Sequence, residues 1–157
     1  MVVSIEELKK FEVFKELTDA ELENIREIAK EEEYKAGERI FEEKSLAINM
    51  YLVLEGKVEI RMRGDMGVEQ ITIDTVGSGE IFGWSAVTEP FTFTAAAWTA
   101  KKSKLLVLNG ELLRDLFKKN NHIGYKIMMK IAAVISTRLR HLNKKFADIL
   151  SKGKEGR

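Results

Sequence analysis

The chain has 157 residues, of which 45% are hydrophobic and 32% charged, and it contains no cysteine. This length suits one domain, because a chain of about 150 residues buries roughly 70% of its unfolded surface, while the lack of cysteine excludes disulfides, thiol catalysis and thiolate metal sites. The acidic N-terminus has no long apolar run, and no segment approaches the roughly 20 apolar residues of a membrane span, so we expect a soluble cytoplasmic protein without membrane contact.

The net charge is +1, but the two signs are concentrated at opposite ends of the chain. Residues 1–43 carry a net charge of −7, residues 44–100 one of −3, and residues 101–157 one of +11. Such asymmetry occurs in proteins that bind nucleic acid. It also arises when the basic end of a molecule lies over the acidic end of its own chain or of a partner. We favour this second explanation, because no recognition helix or stacking aromatics accompany the basic residues.

The first section of the chain is predicted to be helical. Thr18-Asp19-Ala20-Glu21 is a capping box, in which the Thr18 hydroxyl accepts a hydrogen bond from the Glu21 amide and the Glu21 carboxylate accepts one from the Thr18 amide. Apolar residues then recur at helical spacing, at Leu22, Ile25, Ile28 and Ala29. An apolar cluster before the box, consisting of Phe11, Phe14 and Leu17, is expected to pack against the domain.

Residues 34–108 are predicted to form several short strands separated by glycines. The segments rich in strand-forming or alternating residues are 48–54, 58–63, 68–76, 98–100 and 105–108. Gly64-Asp65-Met66-Gly67 is expected to form a hairpin loop, since glycine adopts positive φ without strain. Short strands joined by glycine turns indicate a sandwich or a barrel-like roll.

The last section is predicted to be helical almost to its end. Asn109 is placed to cap a short helix, and one long helix is expected over about 121–150, before a flexible tail at 151–157. Apolar residues step by three and four along the long helix and form one seam: Tyr125, Met128, Ala132, Ile135, Leu139, Leu142, Phe146 and Ile149. A second apolar face lies beside it, at Ile127, Ile131 and Val134. Because the seam has no evident partner within the chain, we predict a homodimer; the alternative is that the helix folds back over its own domain.

Residues 83–87 resemble the G-x-S-x-G turn of serine hydrolases, but Val87 occupies the place of the second glycine. His122 and His141 both lie in the helical section, and neither is spaced with an acidic residue to make a ligand pair. The sequence therefore predicts that the protein has no catalytic residues and no metal site and is not an enzyme. If Gly83 ends a strand and residues 85–87 begin a short helix, the free backbone amides there form a weak signal for an anion site.

Three motifs follow one another between the N-terminal helix and the long C-terminal helix: A-G-E-x-I-F at 36–41, Y-x-V-x-x-G-x-V at 51–58 and G-x-x-F-G at 79–83. Over roughly residues 11–145 this order resembles the cyclic nucleotide-binding domain family, which includes the catabolite-activator type of regulator. The resemblance implies an α+β fold at residues 1–150. In this fold an antiparallel eight-stranded β-roll, jelly-roll-like, is flanked by N-terminal helices and by a long C-terminal dimerisation helix.

In that family the segment after F-G is a phosphate-binding cassette, whose glutamate accepts a hydrogen bond from ribose and whose arginine contacts the cyclic phosphate. Its equivalents in this chain are Phe82, Gly83, Trp84, Ser85, Ala86, Thr92, Thr94 and Ala95. Trp84 occupies the glutamate position, and the arginine position falls on Thr94 or on Thr92, depending on the alignment. Loss of a charge-assisted contact of about 1.5–3 kcal/mol would lower the affinity for cyclic AMP by roughly 10–100-fold.

We therefore expect a stand-alone sensor module with altered or lost cyclic AMP binding, whose ligand is a cyclic nucleotide or another small anion. Occupancy would shift the dimer helix, including Met128 to Phe146, and an unknown downstream protein would read that shift. Transcription factors of the family continue into a helix-turn-helix, which this sequence does not contain, so no sequence-specific DNA binding is expected. The alternative is a ligand-free dimeric interaction module, in which Trp84 and Phe91 close the pocket.

Overall fold

The computed structural model describes residues 3–64 and 69–155. Its α-helices are α1 (Ile5–Leu8), α2 (Asp19–Ile28), α3 (Gly110–Lys119) and α4 (Asn121–Glu155), with 3₁₀ turns at Glu12–Phe14 and Trp84–Val87. Its strands are β1 (Ala29–Tyr34), β2 (Arg39–Phe41), β3 (Asn49–Glu55), β4 (Lys57–Arg63), β5 (Gln70–Gly77), β6 (Ile81–Phe82), β7 (Ala96–Thr99) and β8 (Ser103–Asn109). The predicted hairpin loop at 64–67 falls largely outside the described residues.

The eight strands of the described residues form two four-stranded sheets, in the orders β1-β8-β3-β6 and β2-β7-β4-β5. Every strand pair is antiparallel. Buried side chains from both sheets, such as Leu52, Leu106 and Val58, join the N-terminal helices in one core. This confirms the predicted α+β fold with its antiparallel β-roll and terminal helices.

The first strand begins earlier than the sequence predicted. Ile28 and Ala29 continue the helical spacing of α2, but α2 ends at Ile28 and β1 begins at Ala29. β1 lies at the edge of its sheet, pairs only with β8, and carries the acidic run 31–33. Charged residues are common on edge strands because one side of the strand stays in water. The roll therefore begins at 29 rather than at 34.

Both predicted helix caps are confirmed. The Glu21 amide donates to Thr18 Oγ1 at 3.2 Å, and the Thr18 amide donates to Glu21 Oε1 at 2.9 Å. The Leu112 amide donates to Asn109 Oδ1 at 3.0 Å at the start of α3. The apolar cluster ahead of α2 is buried as expected, and the Phe11 and Phe14 rings meet edge to face.

α4 has two apolar faces with different surroundings. Its inner face packs on the roll, and Ile123, Ile127 and Ile131 are fully buried there. Along the predicted seam Met128 and Ile135 are half-buried, whereas Ala132, Leu139, Leu142 and Phe146 are exposed. The helix reaches Glu155, so residues 151–155 are helical where a tail was expected. The first half of α4 thus folds over its own domain, and the homodimer through the outer seam stays a prediction.

The charge asymmetry of the sequence is partly balanced within one molecule. Lys130 of α4 pairs with Glu12 at 3.1 Å, and Lys126 pairs with Glu16 at 3.7 Å. His122 also contacts the cap carboxylate of Glu21. These contacts agree with the explanation that the basic end lies over the acidic end of its own chain. Within residues 3–64 and 69–155, no helix is long and apolar enough to cross a membrane.

Candidate functional site

A sharp turn follows β6 at the cassette equivalent. Gly83 has a φ of 75°, which is the left-handed region, and the 3₁₀ turn Trp84–Val87 begins immediately after it. A Cβ at Gly83 would lie 3.0 Å from Tyr51 Cδ2 and 3.4 Å from the Asn49 carbonyl oxygen. Both the backbone conformation and the lack of space therefore require glycine here. The predicted turn from strand to short helix is where the sequence placed it.

A cavity of about 200 Å³ opens beside this turn, between the second sheet and α4. Six of the predicted site residues line it: Phe82, Gly83, Trp84, Ser85, Thr94 and Ala95. The remaining wall comes from Phe41, Ile60, Ile73, Asp74, Phe93, Arg138 and Leu142. The fold therefore brings most of the predicted cassette residues together around one space.

Two predicted site residues do not line the cavity. Ala86 is fully buried under α3, and a Cβ at Gly110 would lie only 2.6 Å from the Ala86 carbonyl oxygen. The Arg114 guanidinium donates to that same carbonyl. Thr92 forms an isolated bridge with Leu46, and its hydroxyl donates to the Pro90 carbonyl at 3.4 Å. Ala86 therefore anchors the turn to α3, and Thr92 belongs to the loop behind it.

The aromatic wall of the cavity differs from the expectation. In the alternative of a ligand-free module Phe91 helps to close the pocket, but its ring lies under the Arg114 guanidinium, 4.3 Å from carbon to ring centroid, and outside the cavity wall. Phe93 lines the cavity instead and stacks on Phe41 with ring centroids 3.6 Å apart. The sequence could not show which of these two phenylalanines lines the cavity, because the chain here is an irregular loop in which Phe91 adopts a φ of 58°.

Sequence reasoning missed the cation of this site, which comes from α4. Arg138 Nη2 donates to the Ile81 carbonyl at 2.7 Å, and Arg138 Cζ lies 4.7 Å from the centroid of the Trp84 ring. Arg138 Nε is 3.2 Å from Asp74 Oδ2, and the arginine side chain is only 16% exposed. A signal for this position existed in the sequence. Arg138 lies four residues after Val134, so it continues the inner face of the helix.

The electrostatics of the site depend on Arg138. Burial lowers the pKa of the Arg138 guanidinium below its ordinary value, while the Asp74 and Glu80 carboxylates act in the opposite direction. Arginine nevertheless keeps its proton at neutral pH, because its ordinary pKa lies far above neutrality. The Arg138 guanidinium lies over the face of the Trp84 ring, which attracts cations because its π electrons make that face negative.

This arrangement is suited to binding rather than to acid–base chemistry. The cavity offers the Arg138 guanidinium with its Asp74 partner, aromatic surface and the small hydroxyl residues Ser85 and Thr94. In the part of the chain that the structure describes, no group of three histidines or carboxylates is arranged to hold a metal ion. A mostly apolar space with a half-buried guanidinium fits an anionic ligand that also presents apolar or aromatic surface.

Comparisons with known proteins agree with this geometry. A crystal structure of a protein from Geobacter metallireducens, described as cyclic nucleotide-binding, is 33% identical, with a TM-score of 0.77 over 87% of this chain and 98% of that one. The catabolite activator protein of Thermus thermophilus is 27% identical, with a TM-score of 0.70 over 88% of this chain and 62% of that one.

Two further relatives match this chain in sequence. A Rhodopseudomonas palustris protein named as a potassium channel protein is 28% identical over 87% of this chain, and the matched region is 32% of its length. A cAMP-activated global transcriptional regulator of Mycobacterium tuberculosis is 24% identical over 80% of this chain, and the matched region is 54% of its length. The chain thus spans between a third and about half of these relatives.

The family model described as the cyclic nucleotide-binding domain matches residues 31–120, which is more than half of the chain and includes all eight described strands apart from the start of β1. Together with the β-roll and the cassette turn at Gly83, this match identifies the chain as a member of the cyclic nucleotide-binding domain family.

Proposed function

We propose that this regulatory domain senses a small phosphate-bearing ligand at the cassette cavity, with Arg138 as the cation that contacts the phosphate. The named relatives include a cAMP-activated regulator and a catabolite activator protein, which supports a nucleotide-like ligand. Cyclic AMP itself is expected to bind more weakly than to a cassette with its own arginine and glutamate, because Thr94 and Trp84 occupy those positions.

One observation carries this proposal: a half-buried arginine, Arg138, lies against the cassette turn. Its guanidinium contacts the Ile81 carbonyl and the Trp84 ring on the two sides of Gly83. A phosphate placed beside Trp84 would therefore meet a cation, although the cassette segment has none. Hydrogen bonds between ionised partners are about twice as strong as neutral ones, so a single guanidinium can determine whether an anion binds.

The size of the cavity supports a coupled movement of α4. Ligand pockets measure about 300–1,000 Å³, which exceeds the roughly 200 Å³ available here. α4 forms one wall through Arg138 and Leu142, so a ligand that enlarges the space displaces these side chains. Leu139, directly after Arg138, is 56% exposed on the outer seam. A shift of α4 would thus change the surface offered to a second copy or to a downstream protein, as a ligand-driven population shift requires.

Calorimetric titration of cyclic AMP and cyclic GMP into the full chain tests the proposal. The wild type should bind at least one of them, and Arg138→Gln should weaken binding by about tenfold or more. Arg140→Gln is the matched control, because Arg140 lies on the exposed side of the same helix and its contact is with Thr137 at 3.2 Å. Its affinity should stay within about twofold of the wild type.

The second candidate function is a ligand-free interaction module. The small cavity and the stacked Phe41 and Phe93 rings favour it, since protein side chains already fill much of the space. If the wild type shows neither binding heat nor thermal stabilisation at millimolar concentrations of either nucleotide, that result contradicts the ligand proposal and supports this alternative.

A further inference from the structure

Asp74 and Arg138 lie where three cavities meet. Both residues line the cassette cavity of about 200 Å³, a groove of about 500 Å³ toward the N-terminal segment, and a small cleft of about 100 Å³ beside His141 and Lys145 of α4. The groove is walled by Val13, Glu80, Lys130 and Thr137 among others. The Asp74–Arg138 pair is therefore a partition between the cassette cavity and a larger space.

The Asp74 carboxylate is held in place to face Arg138. Its Oδ1 accepts a hydrogen bond from the Thr75 amide at 2.8 Å, which leaves Oδ2 directed at Arg138 Nε at 3.2 Å. The aspartate side chain is 37% exposed and the arginine side chain 16% exposed, so the pair sits at the border of the cavity rather than in open solvent. A carboxylate of the protein thus already pairs with the Nε side of the guanidinium.

We propose that Asp74 is an internal counter-ion that competes with the anionic group of the ligand for Arg138 and so sets the affinity of the site. This inference rests on the ligand site proposed above and adds the residue that opposes binding. The ligand class is a phosphate-bearing small molecule. Its phosphate must draw Arg138 away from Asp74, because two anions on one guanidinium edge repel each other.

The same exchange explains how the cavity gains volume. When Arg138 turns from Asp74 to a ligand, the partition between the 200 Å³ cavity and the 500 Å³ groove opens. Arg138 lies on α4 and Asp74 on β5, so loss of their pair also removes a contact that holds the helix to this strand. Asp74 therefore keeps the ligand-free arrangement in place and makes opening depend on an anion.

The test compares five forms of the full chain: wild type, Asp74→Asn, Arg138→Gln, the double variant, and Glu59→Gln. Glu59→Gln is the matched control, since Glu59 pairs with Arg61 at 2.9 Å in β4, is 27% exposed and lines none of the three cavities. It changes the net charge by the same amount as Asp74→Asn. Cyclic AMP, cyclic GMP and inorganic phosphate are the probes, titrated by calorimetry, and circular dichroism and melting temperature check that each form is folded.

We expect Asp74→Asn to bind a nucleotide about tenfold more tightly than the wild type, and Glu59→Gln to remain within about twofold of it. The double variant should bind as weakly as Arg138→Gln alone, because Asp74 acts through Arg138. Inorganic phosphate should show the same order of affinities if the phosphate alone is recognised. Tightening of the nucleotides only would indicate that the Trp84 surface is required as well.

Three results would overturn the counter-ion role: a folded Asp74→Asn that binds no more tightly than wild type, an equal gain in Glu59→Gln, or a gain that survives in the double variant. Failure of the proposed function would give a different pattern of binding results. If the wild type binds no probe but Asp74→Asn does, the wild-type sensor proposal fails and the counter-ion role stands. If none of the five forms binds any probe, both fail.

Discussion

Gly83 fixes the direction in which the cassette leaves β6. Its φ of 75° turns the chain so that Trp84 and Ser85 face the cavity, and Tyr51 closes off the space where a side chain would be. Gly79 has a similar φ of 87°, but no atom lies within 4 Å of the position of its Cβ. The two glycines therefore separate the cost of backbone strain from the cost of a close contact.

Alanine at these two positions should destabilise the protein unequally. Gly79→Ala should cost about 1 kcal/mol of unfolding free energy, from the left-handed backbone alone. Gly83→Ala should cost about 2–4 kcal/mol, because the contact with Tyr51 adds to the same strain. Urea denaturation of both variants measures the difference. Equal losses would mean that Tyr51 moves away at no cost and that space at Gly83 is not limiting.

At the scale of single residues, the cassette frame could be predicted from local sequence and its cation could not. Phe82, Gly83 and Trp84 are adjacent in the chain, so a short motif places them together. Arg138 is 57 positions from the Ile81 carbonyl that it contacts. Helical spacing indicates that Arg138 belongs to the inner face of α4, but only the packing of α4 on the roll determines which partner it meets.

Among the elements, α4 determines both the site and the proposed dimer. Its inner face is fixed to the core by Ile123, Ile127 and Ile131, and about two turns after Ile131 it presents Arg138 to the cavity. Its outer seam exposes large apolar side chains, with Leu139 at 56% and Phe146 at 63%. Such a continuous apolar stripe is typical of a helix that pairs with another helix.

Disruption of the seam should therefore separate the dimer. Leu139→Glu with Phe146→Glu should yield a monomer in light scattering, since paired carboxylates would be buried between the helices. Both positions lie outside the walls of the cassette cavity. The matched control is Ala147→Glu with Ser151→Glu, which adds the same charge at exposed positions off the seam. The control and the wild type should both be dimers.

A wild type that is monomeric in light scattering, or a seam variant that stays dimeric, would contradict the pairing through α4.

β1 is an element that the sequence did not predict. Its acidic residues and the helical spacing of Ile28 and Ala29 concealed a strand, because an edge strand buries little surface and its sequence need not alternate strongly. The central strands β3 and β8 bury most of their residues and were recognisable.

In the molecule as a whole, the order of motifs predicted the fold, while the site depends on contacts between distant segments. The acidic N-terminal segment meets basic α4 through Glu12 and Lys130, and the second sheet meets α4 through Asp74 and Arg138. The positions of Asp74 and Arg138 within their elements could be read from the sequence. Their pairing could not, because it depends on how α4 lies across the roll.

The most direct test of this account is a crystal structure of the full chain saturated with the nucleotide that binds most tightly in solution. We predict ligand density in the cassette cavity against the Trp84 ring, its phosphate in contact with the Arg138 guanidinium, and Asp74 beyond salt-bridge distance of that guanidinium. A nucleotide bound elsewhere, with the Asp74–Arg138 pair intact and α4 in its present position, would contradict the account.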